Sequence, residues 1–196
     1  MSKINETSKL LLALKEQEDP TETMKYVKTL IAKDCSIKDI MITAIEEKRT
    51  DFVYSVIKTD PSIISYKDEV QNTYLHKAIN GSYVTSKYDI IHLMIKSGFD
   101  VNARTIHGFT PLMGAIIADR SNIVRLLVEN GANIDSQTDV GYTALMIAVF
   151  RWNKQIPNLI EQGASVNIRN NHGNSSIEHA LYRKEIDVMK IILYLT

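Results

Sequence analysis

Residues 108–135 read GFTPLMGAIIADRSNIVRLLVENGANID, and residues 141–167 read GYTALMIAVFRWNKQIPNLIEQGASVN. The two stretches align almost end to end, which makes repetition the first property to test. Two independent markers keep one period. The leading glycines Gly108, Gly141 and Gly173 are 33 and 32 residues apart, and the trailing glycines Gly98, Gly131 and Gly163 have the same two spacings. One alanine per unit extends the pattern both ways, at Ala44, Ala78, Ala115, Ala148 and Ala180. The wide interval between Ala78 and Ala115 reflects extra residues in NGSYVTSKYD, residues 80–89.

Each unit has a local physical logic. Thr110 is placed to cap free backbone N–H groups, and Pro111 opens a helix where no donor is needed. Asp19, Pro20 and Glu22 mark a helix start of the same kind. A short helix carrying the alanine follows, then a polar turn such as DRSN (119–122). A second helix has the apolar spacing of IVRLLV (123–128), and Gly131 ends it. Asn102, Asp135 and Asn167 sit four residues after their trailing glycines. There a short polar side chain is expected to bond its own backbone and shape a turn. Pro157 falls early in its second helix, so that start is expected to be displaced or kinked. A unit of this size cannot bury its own apolar stripe and must stack on its neighbours. The pattern predicts an all-α repeat solenoid of stacked helix-turn-helix units with short β-hairpin loops.

The motifs TPLMGA (110–115), TYLHKA (73–78) and TALMIA (143–148), with the endings ENGANID and EQGASVN, resemble ankyrin repeats. The match is specific over residues 70–180. Residues 36–69 lack the glycines, and residues 1–35 show only helix spacing. Only His76 keeps the family's usual histidine; Met113, Met146 and Glu178 stand at the other positions. The resemblance implies divergent N-terminal capping helices over 1–35. One continuous array over 36–196 would follow, with units near 36–67, 68–104, 105–137, 138–169 and 170–196. Ankyrin arrays bind other proteins through hairpin tips and the concave face of the first helices. The resemblance therefore implies a non-catalytic protein–protein interaction module or adaptor.

In that arrangement the residues two and three positions after each alanine face the groove. The first set is Glu46, Asn80, Ile117, Phe150 and Tyr182; the second is Glu47, Gly81, Ala118, Arg151 and Arg183. The groove should thus run from acidic to aromatic and basic along the chain. A partner-binding strip is expected from Phe109, Tyr142, Phe150, Arg151, Trp152, Tyr182 and Arg183. His107 and His172 join it at hairpin tips that also carry Arg104, Ile106, Val140 and Arg169. The competing expectation is that Phe150 and Tyr182 fill gaps between helices while Trp152 covers a turn. If Trp152 is a contact, Trp152→Ala should cost roughly 2 kcal/mol of binding with little loss of folding.

The final stretch, EIDVMKIILYLT (185–196), ends in consecutive apolar residues and lacks the polar outer face of a terminal repeat. Either the array continues past residue 196 or this helix is covered by another molecule, which makes self-association an expectation. The alternative function is accordingly a targeting or regulatory fragment of a larger enzyme or multidomain protein.

Composition excludes several classes. Basic and acidic residues balance at 23 each, so no basic arm suggests nucleic acid. No apolar run approaches the ~18–20 residues of a membrane span, and the N-terminus lacks the form of a secretory signal. The single cysteine, Cys35, allows no intrachain disulfide and favours a reducing compartment such as the cytoplasm. Abundant Ile, Lys and Asn suggest an AT-rich genome. With a eukaryotic-type repeat, that composition is compatible with a host-directed effector of an intracellular microbe or virus, acting in the host cytoplasm. The five histidines lack metal-ligand spacing, Cys35 reads as a quiet thiol, and no phosphate-binding glycine motif occurs. No catalytic, metal or cofactor site is expected, and the chain does not read as an enzyme.

Overall fold

The structure, a computed structural model, describes residues 20–80, 87–151, 154–182 and 186–195. Among these residues there are eleven α-helices, one 3-10 helix and no strand. The chain divides into two compact units, residues 1–68 with 73–100, and residues 69–72 with 101–196.

In the first unit the helices are α1 (Pro20–Ala32), α2 (Ile37–Glu46), α3 (Thr50–Thr59), α4 (Tyr74–Asn80) and α5 (Tyr88–Lys96). α2 and α4 are first helices and pack on each other; α3 packs against both α1 and α5. α1 therefore occupies the place of a second helix. Its end shows the same relationship. The Cys35 N–H reaches back to the Leu30 carbonyl at 3.1 Å, as the Phe99 N–H reaches Met94 at 3.2 Å after α5. The residue inside this closure is Gly98 after α5 and Asp34 after α1, both with positive φ. Aspartate is among the few residues that tolerate this conformation. α3 ends differently: Asp60 is extended and accepts the Ser62 N–H at 3.0 Å, and Pro61 opens a 3-10 helix through Ser65. That exit needs no glycine, which accounts for the irregular sequence of this repeat.

In the second unit the helices are α6 (Pro111–Ile117), α7 (Ser121–Glu129), α8 (Ala144–Phe150), α9 (Ile156–Glu161), α10 (Ser176–Tyr182) and α11 (Ile186–Leu195). First helices pack in the order α6, α8, α10, and each packs on the second helix of its own repeat. The repeat alanines Ala44, Ala78, Ala115, Ala148 and Ala180 are fully buried, consistent with a slot too close for a larger side chain. Thr110 and Thr143 cap their helices by accepting the N–H groups of Met113 and Met146. α9 has six residues where α7 has nine, and Pro157 lies in its first turn. The expected displacement is present: proline fits the first turn but not the preceding extension of the helix.

One expectation is corrected. Asp135 bridges to the next repeat instead of shaping its own turn, and Asn102 reaches the next repeat as well. Asn102 Oδ1 accepts the Asn133 N–H at 2.7 Å, and Asp135 Oδ1 accepts the Ser165 N–H at 2.9 Å. The local turn after Gly131 is made by Asn133, whose Oδ1 accepts the Asp135 N–H at 3.0 Å. With that turn satisfied two residues after the glycine, the side chain four residues after it can serve its neighbour.

The loop tips also join in series. Ile106 N–H donates to the Val70 carbonyl, Asp139 to His107 and Asn171 to Val140, at 2.9, 3.2 and 3.2 Å. Each tip is a hydrogen-bonded turn with no strand among the described residues.

Candidate functional site

Two successive loops and two first helices of the second unit surround a groove of about 810 Å³. Tyr142 and Asn174 stand at the same register, one residue after Gly141 and Gly173. Thr138 fixes Tyr142: its hydroxyl accepts the Tyr142 N–H at 3.0 Å, and its own N–H donates to the Tyr142 carbonyl at 2.9 Å. Asn170 does the same for Asn174, at 3.0 Å in both directions. Thr105 holds Phe109 in this way one repeat earlier. The side chain beside each loop is therefore set by backbone geometry.

Helix α10 supplies Glu178, His179, Leu181 and Tyr182, and the end of α8 supplies Phe150. Asn170 Nδ2 lies 2.9 Å from His179 Nε2. The amide group donates, so Nε2 accepts and the ring proton sits on Nδ1. The His179 ring lies 5.3 Å from that of Tyr142. Burial lowers the His179 pKa and so favours the neutral ring, partly opposed by the Glu178 charge. Glu178 accepts the Ser175 N–H at 2.6 Å and pairs with Arg169 at 2.8 Å. These bonds, the Ser175 backbone bond foremost, lower its pKa from 4.5 to about 2. Glu178 thus closes the start of α10. His76 has the same task at α4, where its Nδ1 accepts the Thr73 N–H at 3.3 Å. Carboxylate and imidazole are alternative solutions to one unsatisfied donor.

The outer wall is apolar and exposed. Phe150 is 54% exposed, Leu181 52% and Tyr182 90%. Among the residues expected in the strip, Tyr142, Phe150 and Tyr182 come together here. Arg151 follows Phe150 and is exposed. Phe109 is half-buried and does not line this groove; His107 and His172 are exposed at the tips. Trp152 and Arg183 lie outside the described residues. Arg104 and Arg169 at the tips are engaged in structural bonds, to the Gln137 carbonyl and Asp139 in one case and to the Gly173 carbonyl and Glu178 in the other.

Asn174, Glu178, His179 and Leu181 were not expected from the sequence. The register marks Asn174 as the counterpart of Tyr142. Leu181 was hidden by analogy, because Ile45, Ile79, Ile116 and Val149 at the same position are all buried. Among the described residues no group of three or more His, Cys, Asp or Glu is placed to hold a metal ion. No helix among them is long and apolar enough to cross a membrane.

Paired helices repeating at a fixed period, buried alanine slots and loop tips bonded in series define an all-α repeat solenoid. The family model for ankyrin repeats in three copies matches residues 9–138 and again 83–170. The chain belongs to the ankyrin-repeat family, whose repeats typically mediate protein–protein interaction. No curated protein matches it.

Proposed function

We propose that this chain is a non-catalytic interaction module that seats a protein partner in the groove between α8 and α10. The supporting observation is the exposure of Phe150, Leu181 and Tyr182 on one concave, mostly apolar surface. Large apolar side chains grouped in a cleft commonly mark a binding site, and aromatic residues are enriched among those that dominate binding energy. The single thiol, Cys35, suits a reducing compartment. A photoreactive benzophenone side chain replacing Tyr182 should form a covalent adduct in native lysate. The adduct should be lost on adding Phe150→Ala and absent when the same group replaces Arg125 on α7. Equal labelling from both positions would reject the groove as the docking surface.

A second contact is supported by α11, where Ile186, Leu193 and Tyr194 are exposed. On this reading the face packs against a second copy of the chain. Light scattering should then show concentration-dependent association that Leu193→Glu removes. A monomer at all concentrations would rule it out.

A further inference from the structure

We propose that the occupant of this groove is an acidic, apolar segment of a partner protein. Its Asp or Glu side chain would pair with Arg151 while its bulky apolar side chains lie against Phe150 and Tyr182. This rests on the binding role proposed above and adds the chemistry of the partner.

The inference comes from how charge is distributed. Helices α6, α8 and α10 read PLMGAII, ALMIAVF and SIEHALY, with Glu178 as their one carboxylate and no Lys or Arg. Glu178 is matched by Arg169 at 2.8 Å and by the Ser175 N–H. Asp119, in the turn after α6, is matched by Lys154 at 3.2 Å. His179 adds little positive charge, because burial favours its neutral form. Arg151 is different. It lies directly after α8, beside Phe150, and is exposed with no ion pair among the described residues. The repeat register puts Arg183 at the same position one unit later.

The surface therefore offers apolar area, and the residue next to Phe150 in the chain carries an exposed guanidinium with no ion pair among the described residues. A carboxylate can meet that group with two parallel charge-assisted hydrogen bonds. Apolar side chains packed alongside exclude water and strengthen the attraction. A basic segment would gain the same apolar contact but place like charges together, which opposes binding.

A random-peptide display library selected on the full purified chain tests this. The selected sequences should combine Asp or Glu with Leu, Phe, Tyr or Trp. Phe150→Ala with Tyr182→Ala should abolish the enrichment; both side chains are exposed, and circular dichroism checks that the helices persist. Arg151→Glu should reverse the preference towards Lys and Arg. For a selected peptide with an amidated C-terminus, Arg151→Gln should weaken binding by about tenfold in fluorescence anisotropy, equivalent to ~1.4 kcal/mol. If apolar peptides are enriched without an acidic bias, or the bias survives Arg151→Glu, the charge assignment is wrong and the groove still stands. Equal enrichment on the wild-type chain and on the aromatic double variant would overturn both.

Discussion

Gly131 and Gly141 lie close in sequence and share a left-handed backbone, with φ of 87° and 83°. Their surroundings differ. Gly131 ends α7, and a methyl group added there would meet nothing within 4 Å. Gly141 sits at a loop tip, where the same methyl would lie 2.7 Å from the Asn171 nitrogen and 2.8 Å from the Asn170 Cα. At the helix end glycine supplies a backbone conformation. At the tip it also makes room for the next repeat. The repeat thus conserves one residue type within itself for two physical reasons, and only the second concerns how the units stack.

That contrast can be broken by substitution. Gly141→Ala should have the largest effect, about 3 kcal/mol of destabilisation, from backbone strain plus collision with main-chain atoms that have little freedom to move. Gly131→Ala should cost about 1 kcal/mol, from strain alone. Urea midpoints for the pair would measure the gap; equal losses would show that the loop tips relax and impose no steric limit. Smaller still, Gln71→Gly should stabilise by about 0.5 kcal/mol. Gln71 stands at the leading-glycine position with φ of 63° and an exposed side chain, so glycine would relieve strain. Part of that gain is offset by the greater freedom of glycine in the unfolded chain.

The last prediction is confined to acid. The folded pKa of Glu178 is lowered from 4.5 to about 2. Its contribution is therefore full above the unfolded value and is lost as pH falls from about 4.5 through about 2. Glu178→Gln should flatten this part of the stability–pH profile and leave the profile of the first unit unchanged. An unaltered acid limb would separate the Arg169–Glu178 contact from the stability of the last repeat.

Much of this was legible in sequence. Glycine and alanine spacing specified the helix pairs over residues 70–180, because each marks a backbone constraint that few residues satisfy. Asp34 and Gln71 escaped notice because the constraint is on φ, and here other residues bear it. The equivalence of His76 and Glu178 was also invisible, since it lies in a shared bond to the backbone and not in shape. Counting two positions on from Ala148 and Ala180 found Phe150 and Tyr182. It could not find Leu181, whose position is buried in the four other repeats with a corresponding residue. Periodicity reports what repeats; exposure at one member of a repeated set has to be seen.

The series of bonds joining the loop tips has a use as a measuring device. The amides of Ile106, Asp139 and Asn171 each point at the carbonyl of the loop before them. Each therefore reports on a single junction. In hydrogen exchange, fraying from the C-terminal side should release Asn171 first and Ile106 last, whereas cooperative opening of the unit should release all three together. Three amides, read in order, would give the size of the piece that unfolds.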